Sequence, residues 1–147
     1  MSDYKAYSKT SINHFKTQEQ LSKILKEHKI SDIAYMDKSS EKQIIIVFKT
    51  ELQMEGKSVP VGVKIVLPNV VEDNRDSKYR VLFWYLKSKF EAIDSGLFED
   101  YNTSFVKEFY PHLMVGRGQT LYESLAPQLN NAMLDGKSDK RLELNFG

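Results

Sequence analysis

The feature that most constrains the fold is the segment Gln43 to Lys49, apolar at every position from Ile44 to Phe48. Its residues are β-branched or aromatic, which suits a strand buried on both faces. A different pattern follows. Val59, Val61, Val63, Ile65 and Leu67 alternate with Pro60, Gly62, Lys64 and Val66. Alternation with period two predicts a half-buried strand with one apolar face. The turn Glu55-Gly56-Lys57 makes these two strands antiparallel neighbours. Ser31 to Met36 reads as an earlier strand, joined by the polar turn Asp37 to Glu41. An antiparallel three-stranded meander is therefore expected at the centre.

Helices flank it. Thr17 with Gln20 fits a capping box for a helix over 18–29, where Leu21, Ile24 and Leu25 follow at helical spacing. The strongest helix runs from Ser77 to Ser95, with Gly96 at its C-cap. Asn102 or Thr103 opens a short helix through Tyr110, stopped by Pro111. His112 to Val115 reads as a short strand and Gly116-Arg117-Gly118 as a turn. Thr120 with Glu123 is a second capping box, opening a helix to about Leu134 that Pro127 kinks or breaks. Leu142 to Phe146 could add an edge strand. The expected class is α+β in the order α-β-β-β-α-α-β-α. At 147 residues the chain is one domain's worth, with 1–15 as an N-terminal arm and 136–147 as a C-terminal tail.

Composition narrows the chemistry. The absence of cysteine excludes disulfides, thiol nucleophiles and cysteine-bound metal. Lys+Arg is 21 and Asp+Glu is 20, which argues against a strongly basic nucleic-acid arm but not against a local patch. No apolar run approaches the roughly 20 residues that span a bilayer, and Met1 to Ala6 has no signal-peptide character. A cytoplasmic protein without membrane partners is expected.

The long helix has two faces. At about 100° per residue, Tyr79, Leu82, Phe83, Leu86, Phe90 and Ile93 form the stripe that packs on the sheet. Val81, Trp84 and Tyr85 project the other way, with Ala92 below them. Lys78 and Lys89 border this second face on one side, Arg80 and Lys87 on the other. An aromatic cluster there needs a partner. The C-terminal helix lying on it is one reading and a protein or self-association interface a second. A nucleic-acid platform, with bases stacking on the rings and cations at phosphates, is a third.

Catalytic signatures are sparse. His14, His28 and His112 have no metal-ligand spacing, and no nucleophile-elbow, phosphate-loop or dinucleotide motif occurs. Glu108, Tyr110 and His112 cluster locally, but Pro111 separates the last two. The element order matches restriction-endonuclease-like nucleases, which hold Mg²⁺ with an acid and an E-x-K triplet on adjacent strands. Here the corresponding triplet is Gly62-Val63-Lys64, and Glu55-Gly56-Lys57 falls in the turn. A degenerate, inactive fold of that class is the most this order implies. It also matches the double-stranded-RNA-binding domain, where Lys78 and Arg80 stand near the phosphate-contacting position. No cofactor and no metal site is expected, and a non-catalytic role is favoured over an enzymatic one.

The stretch Tyr79 to Gly96, with Arg80, Lys87-Ser88-Lys89, Phe90-Glu91-Ala92-Ile93 and Asp94-Ser95-Gly96, resembles a family of small bacteriophage and mobile-element proteins. Phe105 with Glu108 and Phe109, His112 to Val115 and Leu125 to Leu129 are similar to later segments of that family, as are Ala6 to Ser11 and Val66 to Pro68. The family's Leu-Pro-Asp-Gly turn is here Met114 to Gly118, and its proline-rich ending is here Lys137 to Gly147. The family has no established activity, so the resemblance implies provenance, and the host-cell cytoplasm as location. It leaves open the roles of the matching Arg80, Lys87, Lys89, Glu91 and Gly96. The expectation is an accessory protein that binds nucleic acid or a nucleic-acid-processing complex through Lys78, Arg80, Val81, Trp84, Tyr85, Lys87 and Lys89. The alternative is a protein-interaction module such as an inhibitor or anti-defence factor, oligomeric or not.

Overall fold

The computed structural model describes residues 12–96 and 99–137. The tail strand expected at Leu142 to Phe146 and most of the N-terminal arm lie outside the described residues.

Helix α1 spans His14–Glu27, and strands β1 (Asp32–Lys38), β2 (Gln43–Met54) and β3 (Lys57–Leu67) follow. They form one antiparallel sheet in the order β1-β2-β3, the expected meander. Glu55 and Gly56 close the β2–β3 hairpin at φ 51° and 78°. Positive φ at both turn residues gives the twist that a two-residue hairpin requires, and glycine takes it without strain. Helix α2 (Arg75–Ser95), helix α3 (Tyr101–Phe109), the small strands β4 (Met114–Gly116) and β5 (Gln119–Thr120) and helix α4 (Leu121–Lys137) complete the order. The chain is thus α+β as expected.

Some boundaries differ from the sequence expectation. The N-cap of α1 is Asn13, whose side chain accepts from the Lys16 N–H at 2.9 Å. Thr17 is fully buried inside the helix, and residues 14 and 15 belong to α1 and not to the arm. At the other end Lys29 takes φ 62°, and the Ile30 N–H reaches back to the Leu25 carbonyl at 2.9 Å. That six-to-one bond is a Schellman stop made without glycine. Asp100, not Asn102 or Thr103, caps α3. The Thr120–Glu123 capping box is present: Thr120 N–H donates to Glu123 Oε1 at 2.8 Å, and Glu123 N–H to Thr120 Oγ1 at 3.1 Å.

The core lies between one sheet face and three helices. Ile44, Ile46, Phe48, Leu52, Val63 and Ile65 point inward and are buried, as are Leu21 and Leu25 of α1. The predicted α2 stripe is buried throughout. Phe105 and Phe109 of α3 join it, with ring centroids 4.7 Å apart and Phe90 5.4 Å from Phe109. Burying side chains of this size contributes roughly 1.5–3 kcal/mol each before conformational entropy is subtracted. On the outer sheet face Ile45 is also buried and Val47 half-buried, so β2 is covered more on both sides than an ordinary surface strand. Gly62 lies under Met114: a Cβ there would stand 3.2 Å from the Met114 sulfur.

Helix α2 occupies the middle of the helical layer. Along one flank α1 runs in the same direction, joined by His14 to Asp76 and by His28 to Asp94. Along the other, α3 runs back, with Phe105 near Phe90 and Glu108 near Lys89.

Candidate binding face

The outward side of α2 holds the residues singled out from the helical wheel, but the layer divides them. Lys78 is only 4% exposed and its Nζ donates to the Pro68 carbonyl at 2.8 Å. Arg80 is 6% exposed; its Nη1 donates to Gln20 Oε1 at 2.7 Å, and its guanidinium lies 4.1 Å from the Phe83 ring centroid. Both cations are spent inside the fold, where a buried charge needs such partners to be tolerated. The wheel expectation that they border an open face does not hold for these two positions.

Trp84 and Tyr85 remain open, at 44% and 37% exposure. Val81 and Ala92 are half-buried beside them and Ser88 is exposed. The expected cover is not there among the described residues, because α4 packs on the Tyr110–His112 turn and on the β4–β5 hairpin. Trp84 stands edge-on to Phe83 at 5.3 Å, with Lys87 Nζ 4.8 Å from its ring. Tyr85 shares a 2.7 Å hydrogen bond with His112 Nε2, and Lys89 Nζ lies 4.8 Å from its ring. Each lysine also meets a carboxylate, Lys87 with Glu91 at 4.0 Å and Lys89 with Glu108 at 3.6 Å. The face is therefore aromatic at its centre and nearly neutral at its rim.

Sequence reasoning had not attached His112 and Glu108 to this face. The structure joins them to Tyr85 and Lys89 and not to each other. Burial, then the charge of Lys89, pushes the His112 pKa below its ordinary 6.5. Its ring is thus neutral at pH 7. The helix to about Leu134 was expected, but the exposed apolar side chains on its far half, Leu129, Met133 and Leu134, were not singled out. The spacing Leu121, Leu125, Leu129, Met133 was the signal for it.

An open cleft of about 930 Å³ lies elsewhere, lined in part by His28, Lys49, Asp94 and Tyr101. His28 offers no free nitrogen there. Its Nδ1 lies 2.8 Å from the Ile24 carbonyl and its Nε2 2.8 Å from Asp94 Oδ2. Burial, with Asp94 nearby, raises the Tyr101 phenol, so it stays protonated. Among the described residues no group of three or more His, Asp or Glu side chains could hold a metal ion. Among them, too, no helix is long and apolar enough to cross a membrane.

No protein-family model, curated protein or solved structure matches the chain. The Trp84–Tyr85 face must accordingly be read from its own chemistry.

Proposed function

We propose that this chain is a non-catalytic accessory protein that binds another protein through the Trp84–Tyr85 face of α2. One observation carries the reading: two large aromatic side chains stand open side by side while Lys78 and Arg80 are buried. A polyanion site draws its affinity from cations that release counterions, several at a time. Two of the four cations expected here are buried, and the other two lie against carboxylates. An aromatic centre with a paired-charge rim suits a protein partner. The nucleic-acid reading keeps one observation in its favour, the lysine beside each open ring.

Trp84 is the only tryptophan, so its fluorescence reports on this face alone. Titration with single- and double-stranded DNA and RNA at low salt should leave its emission unchanged, and Trp84→Ala should melt within about 1 kcal/mol of wild type. Saturable quenching by an oligonucleotide at low salt, lost as salt is raised, would hand the face to nucleic acid. A much larger stability loss in Trp84→Ala would make the ring structural and end the proposal.

A further inference from the structure

We propose that His28 is a pH-operated latch between the C-terminal ends of α1 and α2, closed while both ring nitrogens carry hydrogen and released as the pH rises. It stands apart from the Trp84–Tyr85 face and needs no partner molecule.

Each ring nitrogen of His28 meets an acceptor. Nδ1 lies 2.8 Å from the Ile24 carbonyl oxygen, and Nε2 lies 2.8 Å from Asp94 Oδ2. A carbonyl oxygen and a carboxylate oxygen have no hydrogen to give. A neutral imidazole carries one N–H, so either tautomer would turn a lone pair towards one of these oxygens. Only the doubly protonated ring donates to both. The other two histidines are placed differently. The ring of His14 meets Asp76 through Nδ1, a contact that a neutral tautomer can make. His112 meets the Tyr85 hydroxyl, which can donate or accept.

The surroundings favour a positive charge at this spot. Helices α1 and α2 run in the same direction, so their C-terminal ends come together at His28. Each end carries about half a negative charge. Asp94 adds a carboxylate in the last turn of α2, where no basic residue stands. At the end of α1 the His28 backbone N–H takes the Leu25 carbonyl at 3.0 Å, while its ring takes that of Ile24. Across the cleft stand Glu27, Asp32 and Glu51 against Lys29 and Lys49, so acids outnumber bases there as well. Tyr101 of α3, its ring 6.3 Å from that of His28, is an uncharged phenol. The Phe90 ring lies 4.2 Å away at 28° and fixes the plane of the imidazole. Burial opposes the charge, since only 10% of the His28 side chain is exposed. Loss of the proton instead sets a lone pair against an oxygen. The ring is held between these two costs, and that balance makes the contact sensitive to pH.

A contact that needs an extra proton in the folded state contributes stability at low pH and loses it as the pH rises. His112 acts in the opposite sense. Release of the latch frees the last turn of α1 and the link 29–31 to β1. It also moves one wall of the open cleft, which His28, Asp94 and Tyr101 line.

Amide hydrogen exchange at about pH 6 and about pH 8, on either side of the ordinary histidine range, tests this. After correction for the intrinsic effect of pH, the Lys29 and Ile30 amides should lose about two- to fivefold in protection at the higher pH. That is the size expected for a cation at a helix C-terminus. The β2 amides should keep their protection. Nitrogen NMR of the ring in the same samples should show the loss following departure of the second His28 proton. Asp94→Asn separates the latch from a plain contact, because its amide can turn an N–H towards Nε2 of a neutral ring. The variant should fold, as circular dichroism checks, and lose the pH dependence. Equal protection of the wild type at both pH values overturns the latch, and so does an Asp94→Asn chain with the wild-type dependence. A neutral His28 ring beside fully protected Lys29 and Ile30 amides also overturns it, and this readout decides the matter on the wild type alone if the variant fails to fold.

Discussion

Tyr85 and His112, 27 residues apart, share a 2.7 Å hydrogen bond that ties the open face of α2 to the turn after α3. The imidazole is held neutral there by burial and by Lys89. In the unfolded chain the same ring takes up a proton more readily. Above about pH 6.5 both states are neutral and nothing is lost. As pH falls from 6.5 towards the lowered folded value, the unfolded state gains protons first and stability drops. The slope from this one ring cannot exceed about 1.4 kcal/mol per pH unit, and partial exposure reduces it. Urea denaturation of wild type and His112→Gln between pH 7.5 and 5 should differ in slope within that window. Parallel curves would remove His112 as the cause.

Arg80 and Trp84 should separate cleanly on substitution. Arg80→Ala removes the bond to Gln20 and the packing on Phe83, and should lose about 2–3 kcal/mol of stability. Trp84→Ala should lose under about 1 kcal/mol, since nearly half of the ring is already open. Thermal melts of both decide whether the two residues belong to different parts of the molecule.

The capping box at Thr120 predicts a local effect. Thr120→Ala or Glu123→Ala should destabilise the start of α4 by about 1 kcal/mol. Hydrogen exchange of the α4 amides should accelerate while β2 amides stay protected. The backbone bond from Thr120 is the chief reason that the Glu123 carboxyl titrates below its usual range. That contribution is complete above about pH 4.5 and fades as pH falls through the lowered value.

Gly62 leaves little room beside the Met114 side chain. A Cβ at 3.2 Å from the sulfur requires Met114 to give by a few tenths of an ångström, and the larger branched side chain of Gly62→Val should press on β4 and lose about 1–3 kcal/mol. Met114→Ala should recover part of that loss in the double variant. Additive losses would show that the crowding lies elsewhere.

The elements most legible in the sequence were those whose signals are local. The alternation of Val59 to Leu67, the stripe of α2, the stop at Gly96 and the box at Thr120 each occupy one short segment. Thr17 looked able to begin α1, but Asn13 begins it. What settles the matter is that Thr17 is buried at the Arg80 end of α2, 63 residues away. The fate of Lys78 and Arg80 was hidden for a related reason. A helical wheel sees one helix, whereas Arg80 is enclosed by α1 along one flank of α2 and Lys78 reaches the Pro68 carbonyl just after β3. Trp84 and Tyr85 point furthest from the sheet, and there the wheel and the structure agree.

One consequence of β2 reaches back to how the sheet finds its partners. Ile44 to Phe48 is apolar on both faces, so sliding this strand by one residue exchanges one greasy set for another. That segment carries almost no information about alignment, which the exposed Lys49, Glu51 and Gln53 beyond it begin to supply. The rest sits in two residues of the hairpin, Glu55 and Gly56, and in the alternation of β3. A single residue inserted between them should yield a chain that still collapses and still forms strands, but with neighbours misread by one position along the whole ladder.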